Sequence, residues 1–184
     1  ADSFISRART LDNTEPWAIG VAGLLDTFRG KHKKAVATTR DGVTANPGSA
    51  EARAFYAICL SFANELEGAI IAFKEAIRLN PLHPVWYLTI MARLYDQTGD
   101  FEQAIETSKE LLKREDENFT SQIYLASIYG RMGRLEEARE MAANALQNSP
   151  NFTVSQSTVY LMNIGSPYLE IFQDGLIKAG IPNN

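Results

Sequence analysis

The sequence predicts an all-α protein, an α-solenoid of stacked helical hairpins. Three observations predict it: a near-constant repeat interval, apolar stripes of helical period on both sides of each repeat's turn, and small side chains recurring at matched positions. Gly30, Asn64, Gly99 and Gly133 stand 34 or 35 residues apart. Each is followed five residues later by an alanine (Ala35, Ala69, Ala104, Ala138), and twelve residues beyond that by Pro47, Pro81, Asp116 and Pro150.

Taken in order, residues 1–15 carry Ala8 and Asn13, which lie 34 residues before Gly42 and Pro47. This segment reads as the second helix of a repeat whose first helix is missing, so a fragment of a longer protein is expected. Four repeats follow at 16–49, 50–84, 85–118 and 119–152, the second with one extra residue in its Pro-Leu-His-Pro linker. The third shows the logic most clearly. Tyr87, Ile90, Met91, Leu94 and Tyr95 fall at i, i+3, i+4, i+7 and i+8, one apolar stripe on a first helix. Phe101, Ala104, Ile105, Ser108, Leu111 and Leu112 form the stripe of a second helix. The glycine between them suits a tight turn, and the Pro or Asp near the end of each unit stops the second helix. Residues 153–184 are expected to form capping helices that shield the last apolar face, with a helix over 153–164, Ser166-Pro167 opening a final helix and Gly180 closing it before Pro182.

The small residues sit where paired helices must approach: Gly23, Ala57, Ala92 and Ala126 on first helices, and the four alanines after the turns on second helices. A third small position, Gly42, Ala76 and Ala145, receives the next unit, with Leu111 departing from the rule. Asn118 and Asn151 begin two Asn-Phe-Thr triplets at nearly one phase of the repeat, where a polar residue caps the next helix.

Composition bounds the function. With 184 residues and 45% hydrophobic content the chain can bury a substantial core, and its net charge is −4. Residues 1–50 carry seven Lys or Arg against five Asp or Glu, and residues 51–184 carry eleven against seventeen, so neither part has the basic excess of a nucleic-acid binder. The apolar run 54–63 is about half of a bilayer span, which argues against membrane insertion. The single Cys59 excludes an intramolecular disulfide and reads as a small buried hydrophobe, in keeping with a cytoplasmic location. His32 and His83 are isolated, no nucleophile stands beside a base, and Glu106 with Lys109 or Glu136 with Arg139 read as solvating ion pairs. An enzyme, a metal site and a cofactor are therefore not expected. The run Arg29-Gly30-Lys31-His32-Lys33-Lys34 reads as a solvated turn.

In its small positions, its flanking aromatics and the Pro near each repeat end, the chain resembles the tetratricopeptide repeat family. The likeness covers about three quarters of the chain, is strongest in 85–118 and 119–152, and is most degenerate in the first repeat, where Ile19, Thr39 and Gly42 depart from the pattern. The resemblance implies that first helices line a concave groove. The partner-binding residues it implies are Trp17, Leu24, Phe28, Ile58, Phe62, Trp86, Arg93, Gln97 and Arg131, with the two arginines either holding an acidic partner group or pairing with a local carboxylate such as Asp96. Positions that grip a C-terminal carboxylate in chaperone-binding members hold Gly20, Leu24, Ala54, Ile58, Thr89, Ile123 and Ser127 here, and only Arg93 suits that task. The ending 172–182 is similar to the tail of repeat arrays that follow the catalytic domain in some bacterial class III adenylate cyclases.

The expected function is a scaffold that binds a protein or peptide partner in its groove, as part of a larger bacterial protein. The alternatives are a regulatory or self-associating region of a nucleotide cyclase, with self-association through exposed repeat ends, and a small-ligand-binding solenoid using Trp86 and Arg93.

Overall fold

The computed structural model describes residues 15–115, 118–160 and 168–183 of the chain. The described elements are helical: α1 (Pro16–Phe28), α2 (His32–Ala45), α3 (Ala50–Phe62), α4 (Leu66–Leu79), α5 (Trp86–Thr98), α6 (Phe101–Arg114), α7 (Phe119–Arg131), α8 (Leu135–Asn148), a 3-10 turn (Val154–Gln156), α9 (Ser157–Tyr160) and α10 (Tyr168–Lys178). The fold is all-α and built of hairpin repeats, with helix pairs at the places the period predicts. The chain divides into two compact units, Ala1–Tyr87 and Leu88–Asn184, with the division inside α5.

Each hairpin turns in one way. Gly30, Gly99 and Gly133 have φ of 72°, 79° and 74°, and Asn64 reaches 63°. Asparagine is among the few non-glycine residues that visit this left-handed region routinely, which is why it can stand in. The amide that follows each of these residues then bonds back across the helix end: Lys31 to the Asp26 carbonyl at 2.8 Å, Glu65 to Leu60 at 3.0 Å, Asp100 to Tyr95 at 2.9 Å and Arg134 to Tyr129 at 3.0 Å. This bond satisfies a carbonyl that the helix end leaves open. The linkers between hairpins repeat as well, since Ser49, His83, Asn118 and Phe152 donate their amides to the carbonyls of Asn46, Asn80, Glu115 and Ser149. Ser49 and Asn118 cap the next helices through the amides of Ala52 and Ser121. Asn151 does not cap. The cap falls two residues later, at Thr153, which precedes the 3-10 turn and whose amide donates to Gln156.

In the first unit the alanines facing the paired helices, Ala35, Ala57, Ala69 and Ala76, are fully buried. The departures of the first repeat compensate one another there. A methyl on Gly23 would collide with the Thr39 side chain, and one on Gly42 would stand 2.8 Å from the Ile19 Cγ2. Small and large have traded places across these two contacts, and Thr39 returns its hydroxyl to the Ala35 carbonyl at 2.8 Å. Cys59 is buried and accepts from the Thr27 hydroxyl at 3.6 Å, and burial pushes its thiol pKa up.

The second unit has a core of Ile123, Tyr124, Leu125, Ala126, Tyr129, Ala138, Ala142 and Ala145, joined by Phe152, Val154, Tyr168, Phe172 and Leu176 from beyond the last repeat. The residues after 152 therefore do cap an apolar face. Of the predicted helix over 153–164, the described residues form the 3-10 turn and then α-helix over Ser157–Tyr160, and residues 161–164 lie outside the described residues. Gly180, at φ 90°, ends α10 as expected, and the Ile181 amide bonds to the Leu176 carbonyl at 3.1 Å. The readings of residues 1–14 and of Ser166-Pro167 lie outside the described residues.

Two outcomes follow from this packing. Ala104→Leu should overpack its hairpin and cost about 2 kcal/mol, read from the midpoint of urea unfolding. Asn64→Ala, which puts a Cβ without a local polar partner in the left-handed region, should cost about 1 kcal/mol in the same assay.

Candidate partner-binding faces

In the first unit, α1 and α3 carry the aromatic face. Trp17 is 52% exposed and Phe28 62% exposed, at opposite ends of α1. Each stands edge-on to an aromatic ring of α3, Trp17 to Phe55 with centroids 5.1 Å apart and Phe28 to Phe62 at 6.0 Å. The helices reach this closeness through Gly20, where a methyl would run into the Phe55 ring. Leu24 and Phe62 are half-buried between them. The expectation that Ile58 joins this face is corrected: Ile58 is buried in the core, because α3 turns its Ala54-Phe55-Ile58 side inward.

Trp86 is half-buried and packs edge-on against Phe73, at 6.3 Å, and Tyr87, at 4.2 Å. His83 of the preceding linker stacks on Tyr87 at 5.4 Å. Burial pushes the Tyr87 hydroxyl up to about 12. Trp86 thus serves an aromatic cluster, where its ring area stabilises packing.

The second unit answers the question of the arginines. Arg93 is 1% exposed, with its pKa lowered by burial, so the expectation that it offers a guanidinium to a partner is corrected. Arg131 is also engaged. It pairs with Asp96, whose carboxylate is fully buried, and its guanidinium lies over the Phe101 ring at 5.1 Å. The other Asp96 oxygen accepts from the Tyr168 hydroxyl at 2.6 Å. Burial raises the Asp96 pKa, while Arg131 and the Tyr168 hydrogen bond pull it down. Tyr168 is raised well above the ordinary phenol value, first by burial and then by Asp96. Gln97 is half-buried beside this cluster on α5.

The reason for this burial is α10. It lies on α7, the helix that was to line the open groove. A methyl on Gly130 would collide with the Gly175 carbonyl, and one on Gly175 with the Ser127 carbonyl, so the two helix backbones touch. Ser127 donates to the Phe172 carbonyl at 2.8 Å, and Phe172 meets the Tyr124 ring edge-on at 5.2 Å. Part of the face that sequence reasoning left open to a partner is occupied by the chain's own last helix. The signal lay in the sequence as Gly130 and Gly175, each within a helical segment where glycine costs stability unless something comes close.

Arg131→Gln leaves the Asp96 carboxylate buried without its cation and should destabilise the second unit by about 3 kcal/mol at neutral pH. Asp96 has a folded pKa raised above its unfolded one, so the native state binds the extra proton. Part of the loss should therefore return as pH falls through the folded value, read as a smaller melting-temperature deficit at pH 5 than at pH 7.5.

Comparison with known proteins places these features. Residues 91–151 match a family model described as a tetratricopeptide repeat. The transcriptional regulator HilA of Salmonella typhimurium is 28% identical over 105 residues, a stretch that covers 57% of this chain and 19% of the regulator, so the chain corresponds to about a fifth of that relative. Among solved structures, that of PilW, a type IV pilus biogenesis factor, superposes with a TM-score of 0.76 at 16% identity, covering 97% of this chain and 84% of PilW. YrrB, described as a repeat protein of this type with an unusual peptide-binding site, gives 0.65 at 12% identity, covering 95% of this chain and 91% of YrrB. The family these likenesses support is the tetratricopeptide repeat, by sequence over residues 91–151 and by fold through the solved structures.

Proposed function

We propose that the chain is a protein–protein interaction module that receives a helix or extended peptide on the face formed by Trp17, Leu24, Phe28 and Phe62. The observation that carries this reading is the exposure of Trp17 and Phe28, two large aromatics at opposite ends of α1, each held edge-on by a ring of α3. Rigid aromatics of this kind contribute contact area with little loss of side-chain freedom on docking. The four repeats and the terminal helices act as one scaffold in this reading. Repeats of this type are generally non-catalytic, and among the described residues no cluster of His, Cys, Asp or Glu is arranged to hold a metal ion. No helix among the described residues is long and apolar enough to cross a membrane.

The wider setting we infer is a region of a longer bacterial regulatory protein. The likeness to a part of HilA favours it, and the ending 172–182, similar to the tail of repeat arrays in some adenylate cyclases, favours a cyclase as the second reading.

Peptides selected from a displayed library against the purified chain should lose at least tenfold in affinity for a Trp17→Ala, Phe28→Asp double variant, because truncated hot-spot aromatics commonly cost about 2 kcal/mol or more. The melting temperature should stay within a degree or two, since both side chains are largely exposed. Equal affinity for the variant would reject this face as the binding site.

A further inference from the structure

We propose that the α7 face in the second unit, with the Asp96 end of α5, is a docking site for a partner helix carrying α10's own pattern, and that such a helix displaces α10. This rests on the reading of the chain as an interaction module and names the chemistry of one partner. The pattern is Tyr168, Phe172, Gly175 and Leu176, that is, a hydroxylated aromatic, a second aromatic four residues on, a glycine seven residues on and a leucine eight residues on. Three of the four have a distinct receiver, and Leu176 joins the shared apolar core. Asp96, fixed by Arg131, accepts the Tyr168 hydroxyl; Tyr124 takes the edge of Phe172; and Gly130 lets the Gly175 backbone touch α7. The bond from Ser127 reaches a main-chain carbonyl, which any helix supplies.

Two further features mark α10 as an occupant. Among the described residues it packs along α7, with Tyr168 reaching Asp96 of α5 and only its margin reaching α8, so those residues hold it from one side. Its outward side mixes the half-exposed Ile171 and Ile177 with Glu170 and the ion pair of Asp174 and Lys178, an ordinary solvent-facing surface with no second packing partner among the described residues. The remaining ties run to the 3-10 turn and the start of α9: Gln173 to the Val154 carbonyl and the Ser157 hydroxyl, both at 3.3 Å, and the Val154 amide to the Pro182 carbonyl at 2.8 Å. A partner has no need to reproduce them, because they hold the occupant to its own chain and add nothing to the receiving face.

The test uses the full chain and a fluorescent peptide of residues 166–182. Held in place by its own chain, α10 competes at high effective concentration, so the peptide should bind the wild-type chain weakly and a Gly175→Val chain, whose own helix no longer fits, about 100-fold more tightly. The peptide carrying the same Gly175→Val change should bind neither chain. Absence of tight binding to a Gly175→Val chain that still melts cooperatively overturns the proposal, as does equal binding of the altered peptide. Should that variant fail to fold, hydrogen exchange in the wild-type chain decides: α10 amides exchanging at least tenfold faster than those of α7 support displacement, and equal protection overturns it. The face bearing Trp17 and Phe28 is untouched by these changes, so failure here leaves the test of that face standing.

Discussion

Everything in this fold depends on helices coming close enough for their backbones to meet. An alanine or glycine at each crossing sets the separation, and the larger residues can fill only the space that this separation leaves. The first repeat shows that the constraint acts on the sum across a contact and not on any one position. Gly23 opposes Thr39 and Gly42 opposes Ile19, so an unusually large residue is always met by an absent side chain. The same rule carries beyond the repeats, where Gly130 and Gly175 bring α10 against α7 as tightly as any hairpin partner.

Most of the architecture was legible because it is local. A left-handed residue at each turn, an apolar stripe before and after it, and a stop residue at each end specify a hairpin without knowledge of distant contacts, and the helices lie where these marks put them. The candidate site was less legible. Trp17 and Phe28 stand exposed, but Ile58 and Arg93 are buried. Carrying family positions onto the chain says which helix face a residue occupies, and not what else packs on that face. Arg131 pairs with Asp96 one repeat earlier, whereas the cover over this cluster comes from Tyr168 and its helix, which no periodicity encodes. The capping role of residues 153–184 was visible, whereas the place where they dock was not.

The buried cluster of Asp96, Arg131 and Tyr168 illustrates what a helix must supply to rest on a polar face. A buried carboxylate is unfavourable alone, an arginine beside it restores part of the loss, and a phenol completes its hydrogen bonding. Apolar contact alone would accept many helices in several registers. A single hydroxyl aimed at one carboxylate admits one register, so the polar group confers specificity where the surrounding rings confer adhesion.

Cys59 lies sealed in the first unit beneath Thr27 and is the chain's sole thiol. Its silence toward alkylating reagents is thus tied to the integrity of that unit. The chain in this way carries an internal clock: the rate at which the sulfur becomes reactive counts the openings of the packing that encloses it.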